Sequence, residues 1–383
     1  MMIKTFKHTK IIILPLFILG MFSGCSREIA PESDLDTPIY HYKAGLRAVD
    51  RGDYHSAKSS FEHSIALDKK FALGYGGLGL TYAHLADNKN AKKNIEKAKD
   101  KGKKDPEVLV LCARGWIIMR ETEKKWYKNA ENLLGIVLKS HKDHEAALYY
   151  FGEINLYRHE FSEAENYFRK VVEKKGDYMG KADDKWTLSQ KIIRAMPGTL
   201  AGKKVALHEK ITRADLSILF VEELKVGDLF AKLNQVNSSK FHSPTEFTSE
   251  KQTTQSPPDV QNHWASVWIK DILRYDILNV SPDDKFYPDK FITRAEYAIA
   301  VQRILAAATN DESIETRYFG ESPSRFNDVP SSHPAYNAMA ICTERGIMQA
   351  DVITGKFDSL GSVSGPDALL IIRTLQKSLR VTY

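Results

Sequence analysis

The sequence predicts an all-α protein, a helical solenoid followed by a second helical domain. Two observations carry this. Small residues recur at one spacing: Gly45 and Gly79, Ala57 and Ala91, and Ala130 and Ala164 are each 34 residues apart. Further on, a pentapeptide occurs twice and then decays. Ile211-Thr212-Arg213-Ala214-Asp215 and Ile292-Thr293-Arg294-Ala295-Glu296 are near copies, and Val363-Ser364-Gly365-Pro366-Asp367 stands where a third would fall. In each, a Thr or Ser precedes an Asp or Glu by three positions, the pattern of a helix N-terminal capping box.

Lys4, Lys7 and Lys10 precede an uncharged run from Ile11 to Phe22, and Ser23-Gly24-Cys25 follows. A basic start, a short apolar core and small residues at its end predict a secretory signal over residues 1–24. The core of 12 residues is too short for a membrane span of roughly 20. Its Ser-Gly-Cys ending resembles a bacterial lipobox. The resemblance implies cleavage before Cys25, acylation of Cys25 with lipid such as palmitate, and anchoring to a membrane, with 25–37 as a lipidated spacer. Ser26, in place of Asp, implies the outer membrane where the cell has one.

The remaining length suits two or three domains with real cores. The formal net charge of +6 fits an anionic polymer or a membrane surface and is too small to argue for nucleic acid. Cys25 is assigned to lipid. Cys112 and Cys342 fall in different expected domains, so no disulfide is predicted.

The spacing of 34 comes with matching neighbours. Gly52-Asp53-Tyr54 precedes Ala57, and Phe61 follows it. Tyr75, Gly79 and Tyr82 precede Ala91, and Ala98 follows. Gly152 and Glu160-Phe161 precede Ala164, and Phe168 follows. The pattern resembles the tetratricopeptide repeat (TPR), a helix–turn–helix of that period. Four repeats are expected over 38–178, at about 38–71, 72–105, 106–144 and 145–178, with extra residues near Thr122 to Tyr127. Small residues sit where paired helices cross, and stacked repeats share a core that one repeat cannot build. So short a solenoid needs a cap, and the next domain is a candidate for it. Its concave face is expected to hold an unidentified protein or peptide.

Three features of this region look functional and have simpler readings. Gly74-Tyr75-Gly76-Gly77-Leu78-Gly79 matches G-x-G-x-x-G, but that fingerprint needs a strand before it, and a repeat helix claims these residues. His141 and His144 resemble a ligand pair but lie in a Lys/Asp-rich loop. Eight lysines between Lys89 and Lys104 read as the wet face of a helix.

After about residue 180 the period stops. A tract rich in Ser, Thr, Gln and Pro runs from Asn237 to Pro258, and 226–257 reads as a linker or long loop. Around the middle pentapeptide stand Asp259-Val260, His263-Trp264-Ala265 and Phe286-Tyr287-Pro288-Asp289. That order resembles the S-layer homology (SLH) motif, and the resemblance implies an SLH-type helical domain of three units. The best copy spans 258–306, with a first helix expected to begin near Asn262 and to carry Trp264. The third, 326–378, keeps Phe326-Asn327-Asp328-Val329 but has Pro334 for the Trp and Gly365 for the Arg. The first, 183–225, keeps Trp186 and Arg213 without a clear Phe-Asp-Val opening.

Cap chemistry persists in all three units, whereas the arginine persists in two. Capping does not ask for Arg213 or Arg294, because a cation at the first helical position opposes the helix dipole. The SLH resemblance implies that Arg294, Trp264, Arg213 and Trp186 bind anionic cell-wall polysaccharide or peptidoglycan. No metalloprotease, nucleophile-elbow or Walker motif is present, and Asp283-Asp284 and Asp289 lack the spacing of an EF-hand loop. The expectation is a non-enzymatic envelope protein without cofactor or metal, a tether or assembly scaffold. The alternative is a TPR lipoprotein of a secretion, pilus or polysaccharide-export machine whose SLH-like units only dock protein.

Overall fold

The computed structural model describes residues 30–31, 33–34, 36–231 and 256–379. The expected signal segment, Cys25 and most of the expected linker lie outside the described residues. Every regular element among the described residues is helical, and β-pairing is confined to two isolated bridges, Thr212 with Phe291 and Thr293 with Ser362. The protein is all-α. The chain divides into two compact units between Leu133 and Leu134.

The first unit contains α1 (Pro38–Asp50), α2 (Tyr54–Leu67), α3 (Ala72–His84), α4 (Asn88–Gly102) and α5 (Pro106–Ile118). Thr37, Asp53, Asp87 and Asp105 cap helix starts by accepting backbone N–H bonds, which satisfies donors the first turn leaves over. The spacing of small residues has a direct cause. Phe61 of α2 is fully buried, and a Cβ built on Gly45 of α1 or Gly77 of α3 would stand 2.6 or 2.3 Å from its ring. Gly79 meets Ile95 at 3.0 Å in the next hairpin, and Gly152 meets Phe168 at 2.6 Å in a later one. Gly45, Gly79 and Gly152 are each 16 residues before the side chain they admit, and Gly77 is 16 after Phe61. A 3-10 turn, Met119–Glu121, follows α5; of the expected extra residues, Thr122 to Lys125 precede α6 (Trp126–Ser140), while Trp126 and Tyr127 open it. Helix α6 runs across the boundary between units.

The Gly-rich stretch lies wholly inside α3 with its glycines buried, so it forms no phosphate loop. Lys97 and Lys101 of α4 lie over the Tyr75 ring, and Lys92 pairs with Glu123 at 2.7 Å. Cys112 is a buried thiol, and desolvation pushes it up to about 12.

The second unit begins with the rest of α6. It continues through α7 (Glu145–Tyr157), α8 (Phe161–Lys174), α9 (Met179–Ala195), α10 (Leu200–Val205) and α11 (Arg213–Glu222). Then come α12 (Ser266–Arg274), α13 (Arg294–Thr309), α14 (Tyr336–Glu344) and α15 (Gly365–Ser378). His144 N-caps α7, so its Nδ1 accepts a backbone N–H rather than facing a metal with His141. Helices α7 and α8 pack as a hairpin, and α9 packs on α8.

From α9 onward the helices pack in pairs, and backbone bonds between the pentapeptide turns link the pairs into a ring. Helix α11 packs on α12, α13 on α14, and α15 returns to α9. Helix α9 thus serves twice, covering α8 and closing the ring. Cys342 is buried in α14, and desolvation raises its thiol as well.

Candidate functional site

The three pentapeptides meet at the centre of this ring. The Ile211 N–H donates to the Val363 carbonyl, and the Ile292 N–H donates to the Ile211 carbonyl. Arg213 donates its N–H to Lys290 and Arg294 to Gly361, while Gly365 donates to His208. Each helix start is therefore held by the turn of another unit. Both full copies form capping boxes: Thr212 with Asp215, and Thr293 with Glu296. Ser364 caps α15 by accepting the Asp367 N–H.

The arginines take part in the same exchange. Arg213 is 8 % exposed, and its Nε and Nη2 donate to the Phe286 and Asn279 carbonyls at 2.8 and 2.7 Å. Arg294 repeats this one unit on, donating to the Phe357 and Gln349 carbonyls at 2.8 and 2.7 Å. Each guanidinium also lies over the Phe ring of that turn, at 4.5 and 4.7 Å. So the fold does use an arginine here, for a reason capping alone does not supply: it ties each helix start to the following unit. Aspartates complete the joint. Asp259 accepts the N–H groups of Phe286 and Tyr287, and Asp328 those of Phe357 and Asp358.

Gly365 has a different explanation. A Cβ there would stand 1.8 Å from the Val205 carbonyl oxygen. The end of α10 comes directly against α15, and no side chain fits between them.

The two tryptophans lie apart from the arginines' bonds. Trp264 is 65 % exposed and stands before α12 instead of inside it. Two successive turns delay the helix: His263 donates its N–H to Val260, Ser266 donates to His263, and the His263 ring accepts the Ala265 N–H. Trp264 meets Trp268 at 6.3 Å and His263 at 5.5 Å. Trp186 lies in α9 and donates its indole N–H to Glu165 of α8 at 2.5 Å. It faces the hairpin side of α9.

Beside Arg213 opens a cleft of about 210 Å³, which Asn279, Tyr287, Lys290, Glu296 and Arg303 help to line. Trp264 is outside that lining. Lys290 reaches Glu296 at 3.1 Å, and Arg213 Nη1 stands 4.0 Å from the same oxygen. Burial raises the Glu296 carboxyl, but the Thr293 amide and Lys290 outweigh this and hold it below the usual range. Lys290 and Arg213 thus stand beside one carboxylate, Arg303 lines the same cleft and bonds to Asn279, and the half-exposed Tyr287 supplies an aromatic wall. Such a cleft suits an anionic, ring-containing ligand.

The SLH (S-layer homology) domain family matches residues 258–298 and 325–352.

That match covers α12, the start of α13 and α14, including the cleft's Tyr287, Lys290 and Glu296. An SLH domain is a binding module rather than a catalytic one. It associates this chain with the cell envelope and, in broad terms, with cell-wall polymer. No curated protein matches the chain.

Sequence reasoning did not find Lys290, Arg303 or Asn279 as cleft residues. Tyr287 was within sight in Phe286-Tyr287-Pro288-Asp289, but its direction depends on a positive φ of 56° that no residue pattern specifies.

Proposed function

We propose that this chain is a non-enzymatic, lipid-anchored envelope protein that grips an anionic cell-wall polysaccharide or peptidoglycan-linked polymer. The cleft beside Arg213 carries the reading, because Arg213, Lys290 and Arg303 outnumber Glu296 where Tyr287 offers a ring to a sugar. The exposed Trp264 offers a second stacking face outside the cleft. Arg294 and Trp186 act by position: Arg294 shapes the turn at Phe357 and Gln349, and Trp186 holds α9 to α8. The four helical hairpins expected over 38–178 serve as TPRs for a protein partner, and acylated Cys25 holds the chain to a membrane. A tether or assembly scaffold follows.

The test is co-sedimentation of lipid-free protein with purified cell-wall sacculi, before and after stripping of accessory polysaccharide. Lys290→Gln should bind about tenfold more weakly, as expected for loss of a charge-assisted contact of about 1.5–3 kcal/mol, with only a small loss of stability, since its partly exposed pair with Glu296 is worth about 0–1 kcal/mol. Trp264→Ala should weaken binding independently. Wild-type binding by both variants, or by wild type to stripped sacculi, would sink the polymer reading. It would favour protein docking, for which the exposed Trp264 and Val267 are the supporting surface.

A further inference from the structure

We infer that Asp36, His41 and His63 form a binding site for a divalent transition-metal ion of the zinc class. Asp36 lies just before α1, His41 is in the first turns of α1, and His63 is near the end of α2. The two helices run antiparallel as a hairpin, which brings these three together. His41 Nε2 is 2.6 Å and His63 Nε2 2.9 Å from the same Asp36 oxygen, Oδ1. The imidazole centroids are 4.2 Å apart. All three ligand atoms lie within 4.8 Å of one another.

The repeat itself makes the meeting of the two histidines dependable. One period of 34 later, their positions are Tyr75 and Lys97, and these also touch, with Lys97 Nζ 5.4 Å from the Tyr75 ring. Hairpin geometry joins the two positions whatever occupies them. Only the first hairpin places histidine at both and adds a carboxylate from the segment before it. The frame is held independently of the histidines: the Ser64 hydroxyl donates to the Pro38 carbonyl at 2.8 Å, and the Asp36 N–H donates to Ser33.

The donor set selects the ion. Two imidazoles and one carboxylate suit zinc and its neighbours, whereas calcium and magnesium take oxygen ligands. Three protein ligands leave a fourth position for water. Donor atoms at about 2.0–2.2 Å from a tetrahedral ion stand roughly 3.4 Å from each other. The present Nε2-to-oxygen distances are shorter, so an entering ion spreads the cluster by several tenths of an ångström. The side chains permit this. The Asp36 side chain is 9 % exposed and anchors the floor, while those of His41 and His63 are 22 % and 34 % exposed and open to solvent. Each imidazole then offers an Nε2 lone pair to the metal and carries its proton on Nδ1.

The full chain is titrated with zinc chloride against a chromophoric chelator, and with cobalt(II) followed by visible absorption. One equivalent should bind, with the intense ligand-field bands of a tetrahedral cobalt site. Changes one shell away from a metal typically cost 10–100-fold in affinity, so losing a direct ligand in His63→Ala or Asp36→Asn should cost at least about tenfold. Both variants should keep their far-ultraviolet circular dichroism. The His141→Ala/His144→Ala double variant should bind zinc as wild type does. Zinc should raise the melting temperature of wild type and leave that of His63→Ala unmoved. Equal zinc affinity in wild type and His63→Ala would overturn the site, and so would loss of binding only in the His141/His144 variant. Absence of any cobalt spectrum would reduce the cluster to a hydrogen-bonded triad.

Discussion

Arg213 shows how one side chain decides whether neighbouring units cohere. It spends Nε and Nη2 on carbonyls of a turn more than sixty residues away in sequence. Removing it leaves the buried Phe286 carbonyl without this donor and frees the partly buried Asn279 carbonyl, so Arg213→Ala should cost about 2–3 kcal/mol. Thr293→Ala removes only a helix cap and should cost about 1 kcal/mol. Arg213→Lys should recover only part of the loss, because an ammonium lacks the planar fork. Urea denaturation ranks the three, and an Arg213→Ala milder than Thr293→Ala would contradict the joint. A second residue-scale effect depends on pH. Burial raises the Glu223 carboxyl, but bonds from Thr199, Gly198 and Arg373 outweigh it and hold the group below its ordinary 4.5. A depressed folded pKa means that its stabilisation is present above pH 4.5 and is lost as pH falls through the folded value. Glu223→Gln should therefore be less stable at neutral pH and lose less on acidification, as read from urea midpoints between pH 6 and pH 3. An acid limb as steep as wild type's would show that Glu223 does not contribute.

At the scale of helices, two effects of glycine compete, and magnitude decides between them. Ala in place of Gly stabilises a helix by about 1 kcal/mol, while overpacking a core costs about 1–3 kcal/mol. At Gly77 the added methyl would stand 2.3 Å from Phe61, whose ring is blocked on its other side by Gly45. Gly77→Ala should destabilise by up to about 2 kcal/mol. Gly135 of α6 has nothing within 4 Å of an added Cβ, and Gly135→Ala should stabilise by up to about 1 kcal/mol. Thermal melts of the pair test the sign. Gly45 and Gly79 were legible in the sequence because their cause is local and periodic, a helix crossing that recurs after 34 residues, whereas Gly77 and Gly135 were not. The capping boxes were legible for a similar reason, since Thr293 and Glu296 are three residues apart. The arginine bonds were not, because Phe286 and Phe357 reach them only through the ring. The start of α12 was misjudged for a local reason. Trp264 fits a helical pattern, but the two turns around His263 outcompete the first helical turn. Gly365 reads as a lost arginine in the sequence and as a contact with Val205 in the fold.

For the whole molecule, the proposed lipid at Cys25 and the cleft lined from Arg213 to Arg303 are far apart in sequence. Native protein should carry a lipid-modified amino terminus at Cys25, and Cys25→Ser should move it out of the membrane fraction. Mass spectrometry decides this, and an unmodified terminus elsewhere would remove the membrane end of the proposed tether. A protein holding a membrane at one point and a wall polymer at another is pulled. Helix α9 then takes on a mechanical meaning. It packs on both α8 and α15, so in the proposed tether load passing from the α7–α8 hairpin to the ring would be shared with side-chain contacts as well as carried by backbone. The ring shares what it receives, because each helix start is bonded to the turn of another unit. Under traction the joint behaves as a rivet rather than a string.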